Sequence, residues 1–447
     1  MACPRFKGIT HFVQAIGASF RRSGFNSMNL DTPSPRLSNA TASMAESSET
    51  PVAPRRLQSL DVYRGLIMVT LAFNGFGLAA TATNHLRSAP DSSFWQAVYH
   101  QFEHVAWIGC SFWDLIQPSF MFMVGVSMAY SYLNRQRQGH CWRRMFGHAC
   151  TRGLILIALG IFLISNSARS TNWMLTNVLT QIGLGYPFLF LLWGRTLRTH
   201  VITAVALLLG AWALYSFYPN AGIDPAKGAP EVGVAAAWAQ EHLANVGPAW
   251  HKNANVGHAI DVWFLNLLPR REPFVFNSGG YHTINALASL ATMLFGLMCG
   301  ELLRSNREPP RKLLVLVVAG VSGLALGIIW HWLGTPLVKR IWTPSWALYS
   351  TGWCLLILAA LYTIVDLRQW RAWSFPLVVV GMNSIAIYCM GMTLKGWTGR
   401  MLQTHLGEDV FKMLGANNAP FVQATMVGLV FWLVCWWMYR RKIFLRI

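Results

Sequence analysis

The chain has 447 residues, of which 54% are apolar and only 12% charged; soluble domains carry about 25% charged residues. Together with 21 Trp, this composition excludes an ordinary water-facing globular protein and makes lipid the expected surroundings. The net charge of +19 would suit nucleic acid in a soluble protein. Here the basic residues cluster between apolar runs, so they read as topology-setting charges and no nucleic-acid partner is expected.

The first 54 residues are rich in Ser, Thr, Pro and Ala with no sustained apolar periodicity, and are expected to form a disordered tail. Met44 opens the compact stretch MAESSETPVAPRRLQSLD and is an alternative start. No cleavable signal peptide is expected, and the first long apolar run would serve as an uncleaved anchor. Runs near 20 apolar residues cross a hydrocarbon core. They predict spans at 62–82, 107–133, 153–165, 175–193, 201–218, 283–303, 313–333, 346–365, 375–394 and 421–439, the third being short. The fold class expected is therefore all-α: a polytopic bundle of about ten transmembrane helices over 55–447.

With the N-terminus inside, 24 of the 36 Lys and Arg fall in cytoplasmic segments, and every inside loop is basic. Both termini are thus expected on the cytoplasmic side. Two outside segments are long, 83–106 and 219–282. The second is rich in Trp, Phe and Pro, which predicts an ordered cap, helical in part over 232–245, and suggests a substrate lid. The eight cysteines show no CxxC spacing and mostly fall in or near apolar runs, as small buried hydrophobes do. No HxxxH pair on a predicted helix accompanies the 13 histidines, so no metal site is expected.

Asp114 is the one carboxylate placed clearly within a predicted span, where an acidic group costs about 2.5 kcal/mol or more unless it finds partners. At helical spacing it shares a face with Pro118, Met121 and Gly125, so it should point into the bundle. His104 lies just before, at the outer boundary beside Trp107, in a position that suits either an interfacial or a catalytic residue. Asn74 and Asn383 read as buried polar groups within the first and ninth spans that need interhelical partners.

The segments RLQSLDVYRGLIMVTLAFN and HVAWIGCSFWDLIQPSFMFMVGVSM together resemble the catalytic region of the heparan-α-glucosaminide N-acetyltransferase family, which has many bacterial members. NVLTQIGLGYPFLFLL, GGYHTINALASLATMLFGLMCGELL and FPLVVVGMNSIAIY follow in the family's order. The resemblance runs from about Arg56 to the end. It implies transfer of an acetyl group from cytosolic acetyl-CoA, as co-substrate, to a sugar amine across the membrane. It places the motif histidine on His104, the asparagine on Asn74 and the aspartate on Asp114. Two departures, Trp107-Ile108-Gly109 for the motif's Trp-Asn-Gly and a longer Asn74 to His104 stretch, imply a different acceptor pocket. The large luminal domain that precedes the membrane region in the animal enzyme is not expected here, which argues against heparan as the acceptor and leaves the acceptor open.

Acyl transfer from a thioester needs a proton acceptor and a donor for the developing oxyanion, roles that suit His104 and Asn74. His104 could instead carry the acetyl group itself. Asp114 is ten residues on, about 15 Å along a continuous helix, so a direct bond to His104 would require a break near Gly109. Arg64, Arg143, Arg144 and Arg152 are positioned to meet the phosphates of acetyl-CoA, or simply to set topology. The expected setting is a bacterial cytoplasmic membrane, with an extracytoplasmic amino-sugar or glycan acceptor and, as in some family members, a homodimer. A transporter or flippase of a small polar or glycolipid substrate is the alternative; no internal repeat supports it.

Overall fold

The computed structural model describes residues 57–166 and 168–445, so the expected tail over 1–54 and the Met44 start lie outside the described residues. Among the described residues there are sixteen α-helices and no strand. Six helices are long and apolar enough to cross a membrane, or up to eight if each of two bent pairs counts as one span. The chain is a multi-pass helical membrane protein, and ten separate spans are more than its lengths and hydropathies single out.

The first predicted span is two helices. α1 (Gln58–Ala72) stops at a left-handed turn in which Asn74, Gly75, Phe76 and Gly77 have φ of 52°, 59°, 55° and 64°, and α2 (Leu78–Ser88) then leaves at 47°. Left-handed backbone costs a non-glycine residue roughly 1–2 kcal/mol, so Asn74 and Phe76 need outside support. It comes from α16 (Ala419–Arg440), whose Pro420 carbonyl lies so close to Gly77 that a Cβ there would overlap it. Hydropathy has no sense of such a break. After α3 (Ser93–Phe102) the chain is irregular through 103–112, and α4 begins only at Ile116 and runs to Arg137. The span expected from residue 107 therefore starts about two turns late.

The short third span is in fact α5 (Trp142–Ser165), 24 residues long, because its basic first turns are helical too. The fourth is α6 (Val178–Leu192), only 15 residues long, which Asn177 caps by accepting the Leu179 and Thr180 N–H groups. α7 (Leu197–Ser216), α10 (Asn285–Arg304), α11 (Pro309–Trp332) and α12 (Pro344–Leu361) follow as expected. α11 leaves Leu314, Val318, Val321 and Ile329 exposed, a face that suits lipid. The ninth span breaks into α13 (Phe375–Met382) and α14 (Ser384–Thr393), bent by 71° at Asn383; α15 (Lys395–Leu406) then leads to α16. Asn383 is fully buried, but it binds the chain beyond α16 rather than a neighbouring helix: its amide donates to Ile443 O and its oxygen accepts from Leu445 N.

Small residues let the helices meet at backbone distance. A Cβ on Gly65 of α1 would overlap the Leu377 carbonyl of α13, and one on Gly381 would overlap the Asp61 carbonyl of α1. On α4, Gly125 meets Met293 of α10, while Gly296 and Gly300 of α10 meet Phe122 and Val126 in return. The segment 219–282 is ordered as α8 (Ala236–His242), α9 (Val256–Leu265) and short 3-10 turns. Its core is built on Trp250, Val234, Leu243 and Val256 and takes in Tyr215 of α7 and Trp107.

Candidate active site

The irregular stretch 103–112 makes the bond that helical spacing forbade. With Gly109 at φ 126°, where a side chain is strained, the chain folds back and His104 Nδ1 comes to 2.7 Å from Asp114 Oδ1. Asp114 sits in the 3-10 turn Trp113–Leu115 ahead of α4, not on the helix itself. Its other oxygen accepts the Val105 N–H at 3.2 Å and the Ser111 N–H at 3.3 Å. The Ser111 hydroxyl lies 2.9 Å from that oxygen and 2.8 Å from the Glu103 carbonyl. This collar of donors is what a buried carboxylate requires.

A third element completes the site. The connection between α11 and α12 brings Lys339 Nζ to 3.2 Å from both Asp114 Oδ1 and His104 Nδ1. That connection is itself fixed by buried bonds: the Thr343 hydroxyl donates to Pro336 O at 2.7 Å and accepts the Val338 N–H. It is stitched to the site loop by Gly109 N–H to Leu337 O at 3.0 Å and by Arg340, which donates to Val105 O and Gly279 O. Trp107 closes the other side, its indole N–H donating to Trp250 O of the cap at 3.0 Å.

Burial separates the roles. The Asp114 and Lys339 side chains are 1% and 4% exposed, whereas His104 is 33% exposed, so of the three His104 alone faces open space. Burial by itself would raise the Asp114 carboxyl, but the hydrogen bond with His104, the Lys339 charge and the Val105 N–H outweigh it. Together they hold it well below the usual carboxylate range. An ionised carboxylate can only accept, so the 2.7 Å contact puts a ring proton on Nδ1; in the neutral ring the lone pair is then on Nε2. Such an imidazole can take a proton or attack an acyl carbon.

Asn74 is not the buried, interhelically bonded residue its sequence position implied. It is exposed, on the left-handed turn between α1 and α2, and among the described residues its side chain has no hydrogen-bond partner. The turn still borders the site: a Cβ at Gly75 would lie 3.1 Å from Trp113, whose ring centroid is 6.2 Å from that of His104. The turn that carries Asn74 is thus connected to His104 only through Gly75 and Trp113.

The four arginines do not form one cluster. Arg64 on α1 binds Asp61 and donates to Ser127 Oγ at 2.8 Å. Arg143 and Arg144 are exposed on the first turn of α5. Arg152, farther along α5, donates to the Tyr186 hydroxyl at 2.8 Å and lies 4.6 Å over that ring, with its Nε buried and without a partner. Beside it, Tyr132 and Arg135 of α4 hold His148 of α5. Cations and aromatic rings thus gather where α4, α5 and α6 meet.

The chain is similar to heparan-alpha-glucosaminide N-acetyltransferase from Homo sapiens, at 23% identity over 461 residues, and to the Mus musculus protein of the same name, at 21% over 428 residues. In both cases 88% of this chain is matched. These likenesses support a distant family relationship. The chain spans about 60% of the length of those relatives, and no family model matches it.

Lys339, Ser111 and Arg340 were not singled out from the sequence. Lys339 and Arg340 stand in a short apolar stretch, TPLVKRIWTP, between two spans, where a basic pair reads as an interfacial anchor. A lysine 225 residues from the aspartate it neutralises leaves no local signal.

Proposed function

We propose that residues 55–447 form a transmembrane acetyltransferase domain. It takes the acetyl group of acetyl-CoA from the cytoplasmic side, where both termini lie, and delivers it to an amino sugar or other glycan on the opposite face. The observation that carries this reading is the His104 to Asp114 contact of 2.7 Å with Nε2 left free, in a chain distantly related to N-acetyltransferases. In the direct route the acceptor amine attacks the thioester carbonyl carbon. A C–N bond forms, the C–S bond breaks, the coenzyme leaves as thiolate, and the amine proton passes to Nε2 of His104. In the two-step route Nε2 attacks the thioester carbonyl carbon, the C–S bond breaks and the coenzyme leaves as thiolate; the amine then attacks the acetyl carbon, the bond to Nε2 breaks, and the amine proton passes to the freed Nε2. The exposed amide of Asn74 is suited to donate to the carbonyl oxygen as negative charge develops there.

For the donor, Arg152 with Arg143 and Arg144 offers charge to phosphates and Tyr186 a ring face, so the chemistry of this region fits the nucleotide end of acetyl-CoA. Arg64, tied to Asp61 and Ser127, is the weakest member of that set. The setting proposed is a bacterial cytoplasmic membrane and the assembly a homodimer.

The test is transfer from radiolabelled acetyl-CoA to a panel of glucosamine-type acceptors by detergent-purified protein. Transfer that His104→Ala removes, with the variant still folded and binding coenzyme A, is the expected result. No transfer and no coenzyme binding would overturn the reading. The two bent spans support a second one, because discontinuous helices that cross each other form the substrate site of many transporters. Substrate flux in sealed proteoliposomes that His104→Ala leaves intact is what that reading expects.

A further inference from the structure

A buried carboxylate bonded to an imidazole ordinarily favours protonation of the ring, because imidazolium and carboxylate attract. That would spoil His104, since a protonated ring can neither accept a proton from an incoming amine nor bond to an acyl carbon. Here the same carboxylate oxygen also receives Lys339, and the two nitrogens that share it are 3.2 Å apart. The ring's Nδ1 proton is committed to Asp114, so Lys339 has no lone pair to meet at Nδ1. Its ammonium simply stands against the ring, where a second positive charge is disfavoured.

We infer that Lys339 is a positioning residue that balances the charge of Asp114 and so holds His104 neutral, with its Nε2 lone pair toward the open side. The other groups around the ring do not supply this balance. Glu103 on the same loop is exposed and accepts the His104 backbone N–H at 3.0 Å. Cys110 is a neutral thiol, pushed up to about 12 by burial and then by Asp114. The Arg340 guanidinium is occupied by the Val105 and Gly279 carbonyls and the face of Tyr281. Trp113 contributes an uncharged ring. Among the described residues, Lys339 is the cation that is both buried and in contact with both partners.

The assignment deepens the acetyltransferase reading, and its first test needs no acceptor. Diethyl pyrocarbonate acylates only neutral imidazole, and its product on His104 can be followed by peptide mass spectrometry from pH 5 to 8.5. Lys339→Met should move the pH midpoint of labelling upward by about one unit, a roughly tenfold slower reaction on the acid side. Lys339→Arg should return it to within about twofold of wild type. An unchanged midpoint in a Lys339→Met protein that melts like wild type would overturn the inference.

Lys339→Met leaves Asp114 buried with less compensation and risks misfolding. The double variant Lys339→Met with Asp114→Asn removes both charges and covers that case. Its midpoint should lie near that of wild type, and a midpoint displaced upward as far as the charge-balance argument expects for Lys339→Met alone would overturn the inference. In turnover, the acid limb of kcat against pH should shift with the labelling. Shifted labelling without any acetyl transfer would leave the charge balance standing and remove the acetyltransferase reading.

Discussion

At the scale of single residues, Asp114 and His104 should separate stability from chemistry. Asp114 carries four donor contacts from His104, Val105 and Ser111 and the counter-charge of the buried Lys339. Asp114→Asn leaves that lysine uncompensated, at a cost of about 3–5 kcal/mol, so the variant should show a large loss of thermal stability in detergent. His104→Ala removes one partly exposed partner and leaves the rest of the collar, so its melting should stay much closer to wild type while transfer falls by about 10²-fold or more. Arg152→Met should raise KM for acetyl-CoA about tenfold or more with little effect on kcat, since charge lost at the nucleotide end is uniform binding lost. Asp114 stood out in the sequence because an acidic group in an apolar run is costly, whereas His104 beside Trp107 suited an interfacial residue as well and was singled out only by the family resemblance; the need for a break near Gly109 followed from helical rise. Lys339 was not legible, since pairing across 225 residues is a property of the tertiary fold.

At the scale of elements, the apolar runs located the helices, but not their breaks or true ends. The left-handed turn after α1 and the bend at Asn383 keep hydropathy high while the direction changes, and the basic start of α5 is helical although it interrupts the apolar signal. The α1–α13 contact depends on two absent side chains. Gly65→Ala should therefore cost about 1–3 kcal/mol or more, seen as a lowered melting midpoint, because the overlapping partner is the Leu377 backbone and cannot rotate away. The cap should respond to pH. Burial, then His282, lower the His258 imidazole while Asp261 opposes them, so the folded cap binds fewer protons than the unfolded chain. Its stability then rises with pH and is lost as pH falls through the ordinary histidine value near 6.5. Asp114, depressed below the usual carboxylate range, keeps its contribution until far more acidic conditions. Hydrogen exchange at pH 5.5 against pH 8 should loosen residues 256–265 and leave 103–115 protected, and His258→Gln should flatten that difference.

At the scale of the whole molecule, the distribution of Lys and Arg makes a prediction that geometry alone does not. Single cysteines at Arg143 and at Lys227, in a background lacking reactive thiols, should label from opposite faces of sealed vesicles, with Lys227 outside. Labelling of both from one face would dismantle the topology on which the proposed acetyl transfer across the membrane rests.

The distance along the chain between Asp114 and Lys339 also sets an order of events in biogenesis. At ribosomal rates of about 5–20 residues per second, the 225 residues between them take on the order of ten to forty-five seconds to make. During that interval the aspartate has already left the ribosome and its lysine does not yet exist. A carboxylate stranded mid-helix would have to wait in lipid. Asp114 instead lies in a turn ahead of α4, where it can stay hydrated at the membrane surface until the α11–α12 connection arrives to cover it. Synthesis arrested before that connection should therefore yield an inserted but unsealed intermediate, with His104 reachable from water on all sides.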